Sequence, residues 1–115
     1  MSFSEFEIKQ CEKALDALLA SRRPPAHIRD ELDLQYRIAN QSVVIFEVRP
    51  ELRDPTKKIE IAVAKATFVK SQNLWKVYWQ RQDLKWHAYP LQPDVKHISD
   101  FVALVDEDAN ACFFG

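Results

Sequence analysis

The sequence predicts an α+β fold: an N-terminal helix packed on a roughly five-stranded antiparallel meander, then a short C-terminal helix and a docked apolar tail. Three observations carry this. Apolar residues near the start repeat at helical spacing behind a capping signature. The middle of the chain alternates apolar and polar residues over several runs joined by short polar turns. A second short helical pattern follows them. At 115 residues, with 47% hydrophobic and 29% charged side chains, the chain has the size and composition of a single globular domain, 1–115.

The first helix starts at a capping box, with Ser4 as N-cap and Glu7 at N3. Phe3 and Ile8 are spaced for a hydrophobic staple across that box. Ile8, Cys11, Leu15, Leu18 and Leu19 form one apolar stripe. Arg22 and Arg23 suit the negative end of the helix dipole, and Pro24-Pro25 stops the helix.

A hairpin comes next. Leu32, Leu34, Tyr36 and Ile38 alternate with Asp33, Gln35 and Arg37, and Ser42 to Arg49 returns. A three-residue turn Ala39-Asn40-Gln41, with Asn40 taking a left-handed backbone, sets Leu34 opposite Phe46, Tyr36 opposite Val44 and Leu32 opposite Val48. The second hairpin joins Ile59–Val69 to Leu74–Arg81 through Lys70-Ser71-Gln72-Asn73. Its register sets Ala66 on Val77, Ala64 on Trp79 and Phe68 on Trp75, small against large, as a well-filled layer requires. A tight turn at Gln82-Asp83 then returns Leu84 to Tyr89, with Trp86 beside Trp79, Ala88 beside Val77, Tyr78 opposite His87 and Lys76 opposite Tyr89. Trp75, Trp79 and Trp86 thus share one face, for the first helix to cover. Pro90 and Pro93 end the sheet, and a helix runs from Ser99, its N-cap, to about Asp106, burying Phe101, Val102, Leu104 and Val105. The tail Ala111-Cys112-Phe113-Phe114-Gly115 is too apolar to stay in water.

Composition excludes several function classes. The only glycine is Gly115, so the phosphate loop, the dinucleotide fingerprint, the nucleophile elbow and the kinase loop are all absent. A formal net charge of -1 disfavours a globally basic nucleic-acid binder, although a local patch remains compatible with it. The N-terminus lacks a basic then apolar secretory pattern, and no run approaches the roughly 18 apolar residues of a membrane helix. The expectation is a cytoplasmic protein that does not engage membranes. Cys11 and Cys112 are expected as reduced thiols, with one bridge between them as the alternative.

At 77–89 the sequence reads V-Y-W-Q-R-Q-D-L-K-W-H-A-Y. This block resembles a family of small bacterial proteins carried as a domain of unknown function, through the pattern Y-W-x-R-x-D-L-K-W-H-x-Y. The resemblance extends to I-F-E-V-R-P at Ile45 to Pro50, to the R-x-P-P-x-x-x-R-D segment from Arg22 to Asp30, and to a terminal D-x-x-x-C-F-F-G from Asp108 to Gly115. It covers nearly the whole chain. It implies a soluble bacterial protein and supplies no activity, ligand or catalytic residue.

The residues offer one candidate surface. The predicted registers turn Lys65, Lys76, Tyr78, Lys85, His87 and Tyr89 away from the tryptophans. From Lys65 to Tyr89 there are five cationic side chains against Asp83. Cations interleaved with rings suit single-stranded nucleic acid, with bases stacked on rings and phosphates on cations; an acidic protein is a second fit. The bland reading is an ordinary solvated sheet face. The favoured function is a non-enzymatic binding or interaction module without a cofactor.

The rival is a metal-dependent nuclease or hydrolase. The predicted register sets Asp33 opposite Glu47, a carboxylate pair able to share Mg²⁺. The plainer account is that Glu47 pairs with Arg49 or Arg37. His27, His87, His97, Cys11 and Cys112 have no zinc spacing. Finally, Asp94, Asp100, Asp106, Glu107 and Asp108 stand against Lys96 alone, so the end of the chain is acidic where the meander is basic. That polarity is neutralised either within the chain or across a homodimer. A third function has Phe113 and Phe114 reaching into a partner protein.

Overall fold

The computed structural model describes residues 3–81, 83–108 and 113. It is α+β, as expected: α1 (Glu5–Arg22), then β1 (Asp33–Ala39), β2 (Ser42–Pro50), β3 (Lys58–Val69), β4 (Leu74–Gln80), β5 (Trp86–Ala88), β6 (Asp94–Val95) and α2 (Ile98–Glu107). A 3-10 turn at Ala26–Ile28 links α1 to the sheet.

The capping box forms as read: Ser4 N–H donates to Glu7 at 3.0 Å and Glu7 N–H to the Ser4 hydroxyl at 3.2 Å. Cys11, Leu15 and Leu18 of the stripe are buried, and Cys11 is a free thiol whose pKa desolvation pushes up to about 11. The staple partner Phe3 is buried too, its ring 5.4 Å from that of Trp75.

The sheet is antiparallel in the order β1-β2-β3-β4-β5, with β6 also pairing β4. β6 adds a strand where Pro93 was expected to end the sheet. The β3–β4 register is the predicted one, with Ala66 on Val77, Ala64 on Trp79 and Phe68 on Trp75. Two other registers differ by one residue. β1 and β2 meet through a two-residue turn, Asn40-Gln41, not three, so Asp33 faces Val48, Leu34 faces Glu47 and Tyr36 faces Ile45. Asn40 does carry the left-handed backbone, at φ 55. β4 and β5 are joined by a three-residue loop, 82–84, in which Leu84 at φ 62 occupies the left-handed position that glycine normally fills. Tyr78 therefore faces Ala88, Trp79 faces His87 and Gln80 faces Trp86.

Because side chains alternate across a strand, each one-residue slip exchanges faces. The helix-covered face carries Leu34, Val43, Ile45, Ala64, Ala66, Trp75 and Val77 into the core. α2 lies over β3, β4 and β6, and α1 lies over β1 and against α2, so the two helices share the cover expected of α1 alone. α2 begins two residues earlier than expected, at N-cap His97 rather than Ser99, and buries Ile98, Phe101 and Val105. The acidic end meets the basic exit of α1, where Arg22 Nε lies 2.7 Å from the Asp106 carboxylate. Phe113 is buried with its ring 4.7 Å from Tyr89, which docks that part of the tail; Ala111, Cys112, Phe114 and Gly115 lie outside the described residues. Among the described residues no helix is long and apolar enough to cross a membrane.

Candidate functional site

The face of the sheet away from the helices is the candidate site. Pairing builds one row across it, Arg37–Val44–Lys65–Tyr78–Ala88, and a second, Ser42–Thr67–Lys76–Asp94. The β4–β5 register adds Trp86 beyond Tyr78, on the same side. Lys65 sits between the two rings, its ammonium 5.2 Å from the Tyr78 centroid and 5.0 Å from the Trp86 centroid. Partial burial lowers the pKa of that amine, because the charged form gives up water. The ring quadrupoles replace some of the lost solvation, an effect of about 0.5–2 kcal/mol.

Beside this cluster, Phe46 is only 7% exposed although it lies outside the helix-side core. The Arg37 guanidinium stacks 4.8 Å from its centroid and also holds Glu60 at 2.9 Å. The predicted register pairs Phe46 with Leu34; the two-residue turn pairs it with Gln35 instead and sends it to the open face.

The six predicted surface residues divide. Lys65, Lys76 and Tyr78 stand on the open face, and Lys85 is exposed at the end of the β4–β5 loop. His87 is not on this face: it stands beside Trp79, ring centroids 6.4 Å apart, and its Nε2 lies 3.0 Å from Asp83. The Lys85 N–H and His87 hold the Asp83 carboxyl below its usual pKa. Tyr89 is 1% exposed and belongs to the core. Trp86, predicted inward, takes the place these two were expected to fill. Phe46 and Arg37 were likewise not foreseen as site residues. The signal for Trp86 lay in the length of one loop, which no glycine or asparagine marks.

Asp33 and Glu47 do not come together. They sit on opposite faces of their hairpin, because Asp33 pairs with Val48 and Glu47 with Leu34. Asp33 accepts from Arg23, Leu34 N–H and Gln35, while Glu47 accepts from Arg49 at 3.2 Å. The plainer account, an arginine partner for Glu47, is the one realised. Among the described residues no three His, Cys, Asp or Glu side chains group as a metal site.

Fold and face together define a class: a two-layer α+β protein with helices on one side of an antiparallel sheet and an aromatic-cationic surface on the other. The chain belongs to the family described as a domain of unknown function, DUF3024, which it matches over residues 3–115. No curated protein and no solved structure matches it.

Proposed function

We propose that the chain is a single, non-enzymatic binding domain whose open sheet face holds single-stranded nucleic acid. The observation that carries this is Lys65 held between Tyr78 and Trp86 on an uncovered sheet. An unpaired base needs an exposed ring to stack on, and its phosphate needs a cation within a few ångströms. This cluster offers two half-buried rings and the cation between them, at about 1–3 kcal/mol per stacked base. Lys76 on the neighbouring row extends the cationic track along β4, whereas Lys85, opposite Arg81, alternates with Trp86 and falls on the His87 side. A rigid sheet suits the task, since the rings need no ordering when the strand arrives. The resemblance to small bacterial proteins and the buried free thiol of Cys11 support a bacterial, cytoplasmic setting.

The test is titration of labelled single-stranded oligonucleotides, followed by anisotropy at low and moderate salt. Binding should weaken as salt rises and fall at least tenfold in a Tyr78→Ala/Trp86→Ala double variant. Absence of binding at low salt, or binding that ignores the double variant, removes nucleic acid as the partner. His87→Ala serves as the control, because His87 lies on the other face.

A further inference from the structure

We propose that the free edge of β3 is a self-association site, onto which a second copy of this chain adds its own β3 antiparallel. β3 runs from Lys58 to Val69, but its ladder with β4 spans only Ala64–Val69. Among the described residues, Lys58–Ala62 is paired on the β2 side alone, and Val63 falls at the register shift opposite Ile45 and Phe46. An edge of this kind presents unpaired N–H and C=O groups to any strand that can match it.

The surroundings of the edge are apolar. Ile59 and Ile61 are each 40% exposed on it. Leu52 in the β2–β3 loop and Leu84 in the β4–β5 loop are 98% and 76% exposed. Both loops close hairpins at the same end of the sheet as Lys58–Ala62. Scattered single aliphatic residues are normal on a surface, whereas a group around an open strand edge marks an interface.

Charge complementarity identifies the occupant as a second copy. Lys58-Ile59-Glu60 is its own complement when read antiparallel. With Ile59 against Ile59 across a twofold axis, each Lys58 faces Glu60 of the other chain. A shift that centres the pairing on Glu60 sets two carboxylates face to face and is disfavoured. Both charged groups retain capacity for this. Lys58 reaches the Asp30 carbonyl, leaving two of its three N–H donors, and Glu60 holds Arg37 without using all its acceptor sites. The ladder is short, so the dimer is a dissociable one. Its axis runs perpendicular to the sheet, which brings the two Tyr78–Trp86 faces onto the same side and doubles that surface. The pairing itself does not depend on what that surface binds.

Sedimentation equilibrium from about 1 μM to about 1 mM protein at low salt tests it. The wild-type chain should show a monomer–dimer equilibrium in that range. Lys58→Glu and Glu60→Lys each place like charges opposite one another and should weaken the dimer about tenfold. The double exchange restores the complement and should return the wild-type constant. Thermal melts of all four proteins separate unfolding from dissociation. A chain that stays monomeric throughout, or a dimer that responds identically to the single and double exchanges, overturns the proposal.

Discussion

Arg23 and Asp33 meet in a two-pronged ion pair that ties the end of α1 to the start of β1. Arg23 Nε lies 2.8 Å from one Asp33 oxygen, and a terminal guanidinium nitrogen lies 3.0 Å from the other. The Leu34 N–H and the Gln35 amide complete the shell around the carboxylate, each at 2.8 Å. Arg23 is the residue that caps α1, so the pair fixes the angle at which the chain leaves the helix and enters the sheet. It also gives the acidic residue at the head of β1 its partner. The Arg23 hydrogen bond, assisted by Gln35 and the Leu34 N–H, holds the Asp33 carboxyl well below its ordinary 3.8.

The first prediction concerns acid stability. A carboxyl whose pKa is depressed by folding contributes fully above its unfolded value and loses that contribution as pH falls below it. Asp33→Asn should cost about 1–3 kcal/mol at neutral pH, because Arg23 loses a charged partner. That gap from wild type should narrow as pH drops from about 5 towards about 2. Urea melts of both proteins across this range measure it. A gap that is constant with pH would mean the ion pair contributes nothing to folding.

A second prediction separates cation from ring on the open face. If Lys65 meets phosphate, Lys65→Met should weaken oligonucleotide binding and reduce its salt dependence by about one released counterion. If Trp86 stacks on a base, Trp86→Ala should weaken binding by about 1–3 kcal/mol while leaving the salt slope intact. Anisotropy titrations at several salt concentrations read both quantities together. Equal changes in slope for the two variants would mean that neither role is as assigned.

How much of this surface was legible depends on turn chemistry. The β3–β4 register was readable because four polar residues separate its strands and Asn73, at φ 51, supplies the left-handed exit. At 82–84 the same backbone geometry falls on Leu84, a residue with no turn preference, and the loop reads as one residue shorter than it is. That single residue moves Trp86 outward, His87 to the other face and Tyr89 into the core. The helices were plain in the sequence because capping and 3.6-residue periodicity are local, as at Ser4 and Glu7. β6 was not, because two residues between Pro93 and Lys96 carry no periodicity; pairing to Trp75 and Lys76 of β4 makes them a strand.

Leu84 itself carries the third prediction. A left-handed backbone costs a residue with a Cβ about 1–2 kcal/mol, and this side chain, being largely exposed, gains little packing in return. Leu84→Gly removes that strain but adds about 0.4–1 kcal/mol of unfolded-chain freedom. The net expectation is stabilisation by about 0.5–1 kcal/mol, read as a rise in urea midpoint without change in slope. Destabilisation would show instead that the exposed leucine makes contacts important to folding.

The last prediction decides between two uses of the C-terminal tail. After α2 the chain turns through Asp108, whose φ is 44, and the Phe113 N–H donates to the Asp108 carboxylate at 3.0 Å. The Phe113 ring then closes over Tyr89, itself enclosed in the core. A ring packed this way stabilises its own chain and is not free to enter another protein. Phe113→Ala should therefore cost about 2–4 kcal/mol, somewhat below a fully enclosed phenylalanine because the site lies at the edge of the core. Urea unfolding of the purified protein measures it without any partner. A cost near zero would release the ring from this role and return the tail to the reading in which Phe113 anchors a second protein.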